Sequence, residues 1–141
     1  MRDRDDAGRA RNARPRDALG RPLPYGSAGV PPLPEPIDPS PAAVVALATE
    51  LLDEGLPFQA HEALEAAWKA APEQQRPAWQ GLAQLAVALT HAGRGNADGA
   101  RKLRERALVN LEAGQLPPVA EPLRDRLLAE SGVHPPVEPL Q

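Results

Sequence analysis

The sequence predicts an all-α protein, and three observations carry that reading. Residues that favour helix dominate: twenty-six Ala and nineteen Leu stand against nine β-branched aliphatics, eight Val and Ile37. Nine of the eighteen prolines crowd between Pro15 and Pro41, whereas only Pro57, Pro72 and Pro77 fall between Ala42 and Leu116. Within that proline-poor stretch apolar residues recur at helical spacing and are interrupted only near Gly or Pro. A chain of 141 residues suits one domain rather than two, and the short connections suit a compact array of about five helices in antiparallel hairpins.

Residues 1–40 read as an irregular, Pro- and Arg-rich arm, extended or disordered, because a stretch dense in proline and glycine neither sustains a helix nor buries much surface. The helical domain is expected over 41–132. The first helix runs from Pro41 to Glu54, with Ser40 as N-cap, Val44, Leu47, Leu51 and Leu52 on its apolar face, and Gly55 ending it. The second starts at Pro57 and reaches Ala71. The third spans Arg76 to His91 and closes at Gly93 or Gly95. The fourth has Asn96 as N-cap and Asp98 in its electropositive first turn, and it ends at Gly114. A short fifth helix over 121–131 offers Leu123, Leu127 and Leu128 to cover one end of the stack, and residues 133–141 form a C-terminal tail with three prolines. At a spacing of 40 residues Gly55 falls on Gly95, Ala60 on Ala100, Glu65 on Glu105 and Ala67 on Ala107, which suggests a repeated helical hairpin resembling tetratricopeptide architecture.

Composition removes several function classes. Without cysteine there is no disulfide, no thiolate nucleophile and no sulfur-ligated zinc, and a reducing compartment, the cytoplasm, is the expected location. The N-terminus lacks an apolar segment behind its charges, and the uncharged run from Pro77 to Gly93 contains Gln80, Gln84 and His91, so neither signal peptide nor membrane span is expected. Ser27 and Ser40 of the arm have no His nearby in sequence, Ser131 lies at a helix end beside the tail, Lys69 and Lys102 sit among polar or charged residues, and no glycine-rich phosphate loop follows a strand. The formal net charge of −3 implies no partner by itself. Residues 1–21 hold seven Arg against four Asp, but with Tyr25 the lone aromatic of the arm, docking onto the domain or a partner subunit is expected before nucleic acid.

The residues with chemical content are polar side chains on apolar helix faces. On a wheel of about 100° per residue, Trp68 falls near −20° from His61, Glu65 near +40° and Phe58 near +60°, so His61 and Glu65 lie inside the apolar sector. Glu62 sits at the edge of that sector, as a solvated carboxylate, and His134 in the tail is uninvolved. On the third helix Trp79, Leu82, Leu85, Ala86 and Leu89 make one side while Gln80, Gln84, Val87 and His91 gather on the other, as befits a central helix covered on both sides. A buried polar group without a partner costs about 1–3 kcal/mol, so His61, Glu65, Gln80, Gln84 and His91 are expected to find one another or a ligand.

Three readings of that cluster are open. It can be a satisfied hydrogen-bond network that fixes the register of packed helices, which is the primary expectation. It can be a small-molecule pocket walled by Phe58, Trp68 and Trp79. It can be a hydrolytic metal site with His61, Glu65 and His91 as ligands, although the zinc-protease H-E-x-x-H pattern is absent because position 65 is Glu. No cofactor and no metal is expected under the primary reading. Arg94, Asn96 and Arg101, with Arg104 and Arg106 behind them, are secondary candidates for an anion at the start of the fourth helix, weighed against an ordinary solvated surface.

The motifs F-x-A-H-E-x-L-E-x-x-W from Phe58 to Trp68, W-Q-G-L-x-Q-L-A from Trp79 to Ala86 and H-x-x-R-G-N-x-x-G-A from His91 to Ala100 resemble, in that order, the bacterial family of the domain of unknown function 309. The resemblance covers residues from about 42 to 113. The segment Gly8 to Gly26 is similar to the N-terminal extension of family members from high-GC actinobacteria. The resemblance implies a compact helical domain and a bacterial cytoplasmic protein, in a family whose biochemical function is not established. On the primary reading of the polar cluster the expected function is a non-catalytic binding or assembly module, with the metal-dependent hydrolase and the small-molecule pocket as alternatives. Its partner is a second copy or another protein, through an apolar surface near Trp79 or the Leu-rich side of the third helix, and neither nucleic acid nor membrane.

Overall fold

A computed structural model describes residues 3–4, 10–11, 16–23, 29–30, 32–33 and 36–132; the expected tail at 133–141 lies outside the described residues. Five α-helices follow in order: α1 (Pro41–Asp53), α2 (Pro57–Ala70), α3 (Arg76–Gly93), α4 (Ala97–Ala113) and α5 (Glu121–Glu130), with a 3₁₀ turn at Pro118–Ala120 ahead of α5. The fold is all-α. The strand content among the described residues is a two-residue antiparallel ladder in the arm, β1 (Asp3–Arg4) with β2 (Ala10–Arg11), and an isolated bridge between Arg16 and Pro22.

Proline sets the helix starts as the sequence implies. Pro41, Pro57, Pro77 and Pro122 occupy first-turn positions, where the missing N–H would have no intrahelical partner anyway. Asn96 caps α4, its Oδ1 accepting from the Gly99 N–H at 3.0 Å. Ser40 stands at the cap position of α1 but its side chain makes no cap bond. Its N–H instead donates to Asp38 Oδ1 at 3.0 Å, so the entry to α1 is fixed from two residues before the cap.

The helix α3 is the centre of the stack. It packs against α2 on one side and α4 on the other, with α5 across it, while α1 lies against α2. Trp79, Leu82, Leu85 and Ala86 on its inner face are fully buried, together with Leu64 of α2, Val44 of α1 and Leu127 of α5. Each such aliphatic or aromatic side chain withdrawn from water contributes about 1.5–3 kcal/mol before conformational entropy is charged against it. Trp79 thus belongs to the core, which corrects the expectation that it marks an exposed assembly surface.

The contact between α3 and α4 depends on Gly81. A Cβ there would lie 3.0 Å from the Ala107 carbonyl oxygen and 3.0 Å from Leu111 Cγ, so the glycine in the W-Q-G-L motif lets two helix backbones approach. Gly114, just past the C-terminus of α4, meets Ala78 still more closely, and the Gln115 N–H donates to the Gln74 carbonyl at 2.8 Å. The fifth helix closes the stack from below through Leu123 and Leu127, and Arg126 reaches Asp53 at the end of α1 at 2.6 Å.

Candidate functional site

The pair with the most defined geometry is His61 and Glu65, one turn apart on α2. His61 Nδ1 lies 3.1 Å from the Phe58 carbonyl oxygen and Nε2 lies 3.0 Å from Glu65 Oε1. A carbonyl only accepts, so Nδ1 donates to it, and the second bond then requires a proton on either Nε2 or the carboxylate. The two side chains are 17% and 38% exposed, so the pair lies at the edge of the core rather than inside it. The Phe58 ring sits 5.3 Å from the imidazole at a tilt of 52°.

The other members of the expected cluster are paired elsewhere. Gln84 Oε1 accepts from Asn110 Nδ2 at 2.8 Å, a bond that ties α3 to α4. Asn96 Nδ2 donates to His91 Nδ1 at 3.2 Å across the α3–α4 turn. Gln80 and Trp68 are half-buried, Trp68 against the edge of the core. The single buried network expected from the wheel is in fact a set of separate pairs, because Gln84 and His91 on α3 find their partners on α4 and the α3–α4 turn, whereas His61 and Glu65 pair within α2. Among the described residues no group of three or more His, Asp or Glu side chains could hold a metal ion, and the His91 ring that would complete a set with His61 and Glu65 is engaged by Asn96.

Sequence reasoning missed the polar side chains that are buried: Gln59, Thr90 and Ser131. Thr90 Oγ1 donates to the Ala86 carbonyl at 3.1 Å, the back-bond by which a threonine inside a helix satisfies itself, and its place within an apolar run was a usable signal. No buried side-chain nitrogen or oxygen among the described residues is left without a partner.

The anion candidates are occupied as well. Arg101 bonds Asp98 at 2.8 Å and Glu105 at 2.9 Å, and Lys102 approaches Asp98 at 3.1 Å. Hydrogen bonds from Arg101 and then Lys102 hold the Asp98 carboxyl below the usual carboxylate range. Asn96 is spent on its cap. Arg94 donates to the Leu19 carbonyl at 2.5 Å, seventy-five residues away in sequence.

That last bond belongs to a docked turn of the arm. Asp17 Oδ1 accepts from the N–H groups of Leu19 at 3.0 Å and Arg21 at 2.9 Å, while Oδ2 takes Arg21 Nε at 2.7 Å. Burial pushes the Asp17 carboxyl up, but the bonds from Arg21 and Leu19 outweigh it and the net displacement is downward. Arg16 bonds the Gly20 carbonyl, and the Val30 N–H closes onto the Arg16 carbonyl at 2.9 Å. The turn lies against two of the three sequence motifs. Gly20, at φ +76°, is set face-on to the Phe58 ring, the Arg16 guanidinium stands 5.6 Å over the same ring, and Leu19 packs onto Gly93.

A cleft of about 270 Å³ opens at the other end of α2, between the entry to α1 and the α2–α3 connection. Pro39, Pro41, Ala67, Ala71 and Pro72 wall it and Trp79 forms part of its lining, with the indole N–H already donating to Gln75 Oε1 at 3.2 Å. Of the expected pocket walls Phe58, Trp68 and Trp79, this cleft is lined by Trp79 and by none of the His61 cluster.

The described helices include none long and apolar enough to cross a membrane. Residues 45–103, from α1 into α4, are matched by the family model described as Domain of unknown function (DUF309). That span is narrower than the stretch of about 42 to 113 that the motifs suggested. The chain is similar to the uncharacterized protein YpuF of Bacillus subtilis (strain 168), 44% identical over 57 residues, which is 40% of this chain and 33% of that protein. The chain thus spans about a third of the length of this curated relative. No solved structure matches the chain.

Proposed function

We propose that this chain, whose residues 45–103 are matched by the family model described as Domain of unknown function (DUF309), is a non-catalytic binding or assembly module of the bacterial cytoplasm. Its working unit is the helical domain 41–132, with residues 1–40 as an arm and 133–141 as a tail. The observation that supports this reading is where the motif side chains spend their hydrogen bonds. His61 bonds Glu65 and its own helix, Gln84 bonds Asn110, and His91 bonds Asn96, so each polar group that resembled catalytic equipment holds a helix or a turn in register. The lack of cysteine fits a reducing compartment.

The test is elemental analysis of untagged protein together with the unfolding of a His61→Ala variant. The expected result is no stoichiometric metal in either protein and a stability loss of about 1–2 kcal/mol in the variant, the worth of a half-buried hydrogen-bonded pair. Stoichiometric zinc, manganese or iron that disappears in the variant would overturn the reading in favour of a metal-dependent hydrolase at His61, Glu65 and His91.

A further inference from the structure

The face formed by the first and third sequence motifs is shaped on both sides for a peptide turn. Phe58 opens the first motif, and Gly93 and Arg94 lie within the third; α2 and the end of α3 bring them together around residues 16–22. The complementarity is reciprocal. A Cβ on Gly93 would lie 2.7 Å from Leu19 Cδ2, so the receptor has a glycine where the turn presents leucine. A Cβ on Gly20 would collide with the Phe58 ring, so the turn has a glycine where the receptor presents phenylalanine. That glycine also has φ +76°, a backbone state that L side chains rarely adopt.

Two charged groups complete the recognition, one from each side. Arg94 of the receptor takes the Leu19 carbonyl, and Arg16 of the turn lies over the Phe58 ring at 5.6 Å, within cation–π range. The turn needs little from the helices to hold its shape, because the Asp17 carboxylate and the Asp17 carbonyl organise the N–H groups of Leu19, Gly20 and Arg21 internally. A ligand folded by its own hydrogen bonds binds with less entropy to lose.

We propose that the Phe58, Gly93 and Arg94 face is a peptide-recognition site for an Asp-centred turn of the type Arg-Asp-Ala-Leu-Gly-Arg, which this chain fills in cis with residues 16–21. The inference deepens the binding-module reading and rests on it. The turn and its site belong to one chain, and linking a ligand to its site replaces dilute encounter by a high local concentration.

The experiment uses the full chain and a labelled synthetic peptide of residues 16–23. Wild-type protein, already occupied, takes up the peptide weakly. Gly20→Val, which places a Cβ against Phe58 and strains the backbone, evicts the arm and leaves the receptor face intact. The expected dissociation constant for the peptide is then about a hundredfold lower than in the wild type. Adding Gly93→Leu to Gly20→Val blocks the Leu19 seat and abolishes uptake while helix content by circular dichroism is unchanged. Should Gly20→Val lose helix content, Asp17→Ala decides by the same measurement, because it removes bonds within the turn only. Equal and weak uptake by wild type and by a folded arm-releasing variant overturns the proposal, as does uptake that Gly93→Leu leaves untouched. Either result in metal-free protein leaves the binding-module reading standing, whereas stoichiometric metal sinks that reading whatever the peptide does.

Discussion

Leu51 and Leu56 in the first hairpin occupy the places that His91 and Asn96 occupy in the second, and the backbone around them makes the same bonds forty residues apart. The Leu56 N–H donates to the Leu51 carbonyl at 2.9 Å and the Asn96 N–H to the His91 carbonyl at 2.8 Å. Gly55 donates to Leu52 as Gly95 donates to Ala92, each at 3.0 Å, with φ +75° and +81° respectively. This pair of crossed bonds with a left-handed glycine is the Schellman end of a helix, which is usually sealed by an apolar contact between the two outer positions. The α1–α2 turn follows that rule with two buried leucines. The α3–α4 turn replaces the apolar contact by the Asn96 to His91 hydrogen bond.

The neighbours explain the difference. Helix α2 lies between α1 and α3 and buries Gln59, Ala60, Ala63, Leu64 and Ala67; α4 has α3 as its main neighbour and buries only Ala100 and Ala107. Those two alanines are the counterparts of Ala60 and Ala67, so the shared template is the small-residue seam, and the remaining positions follow exposure to water. The comparison also reassigns His91, whose position is that of a hairpin seal and whose partner is a cap residue.

The strongest way to break the comparison is to truncate both seals. Leu51→Ala empties a buried position and is expected to cost about 2–4 kcal/mol, whereas His91→Ala removes one solvent-edge hydrogen bond and costs about 0.5–1.5 kcal/mol. Urea unfolding of the two variants measures both. Equal losses would mean that the second turn depends on His91 as the first depends on its leucines, and the distinction drawn from burial would be lost.

Next in size is Gly81→Val, which forces atoms between α3 and α4 where a Cβ already meets the Ala107 carbonyl at 3.0 Å. A loss of about 1–3 kcal/mol is expected, with α4 amides exchanging before those of α2, because α4 buries two alanines where α2 buries five residues. Uniform exchange across all helices would instead show that α4 is no weaker than α2. Gly55→Ala and Gly95→Ala sharpen the same point. Neither Cβ would meet any atom within 4 Å, so each substitution charges only the left-handed backbone, about 1–2 kcal/mol, and the two losses should agree.

Much of this was legible in the sequence. The repeat at forty residues, Asn96 as a cap, Pro57 and Pro77 at helix starts and the central place of α3 follow from spacing and local chemistry that act along the chain. The site was less legible. His61 and Glu65 met as expected because they are one turn apart on one helix, a relation fixed by helix geometry. Gln84 with Asn110, and Arg94 with Leu19, depend on which helix or loop faces which, and no periodicity carries that. The wheel also overstated burial, since a residue in an apolar sector is buried only if a neighbour covers that part of the sector.

The smallest effect concerns acid. In the second hairpin position 98 is an aspartate that bonds Arg101 and Lys102, and those bonds hold its carboxyl below the usual range; the equivalent place in the first hairpin is Phe58. A lowered folded value means that the contribution of this carboxylate is fully present above about pH 4, the unfolded value, and is lost as pH falls through the folded one. Both partners are exposed, so the loss is small and local to the first turn of α4. Carboxyl NMR should place the Asp98 midpoint below that of an unstructured aspartate, and Arg101→Ala should move it back up. A midpoint at the ordinary value in the wild type would remove the acid asymmetry between the hairpins and leave their turns distinguished by the seal alone.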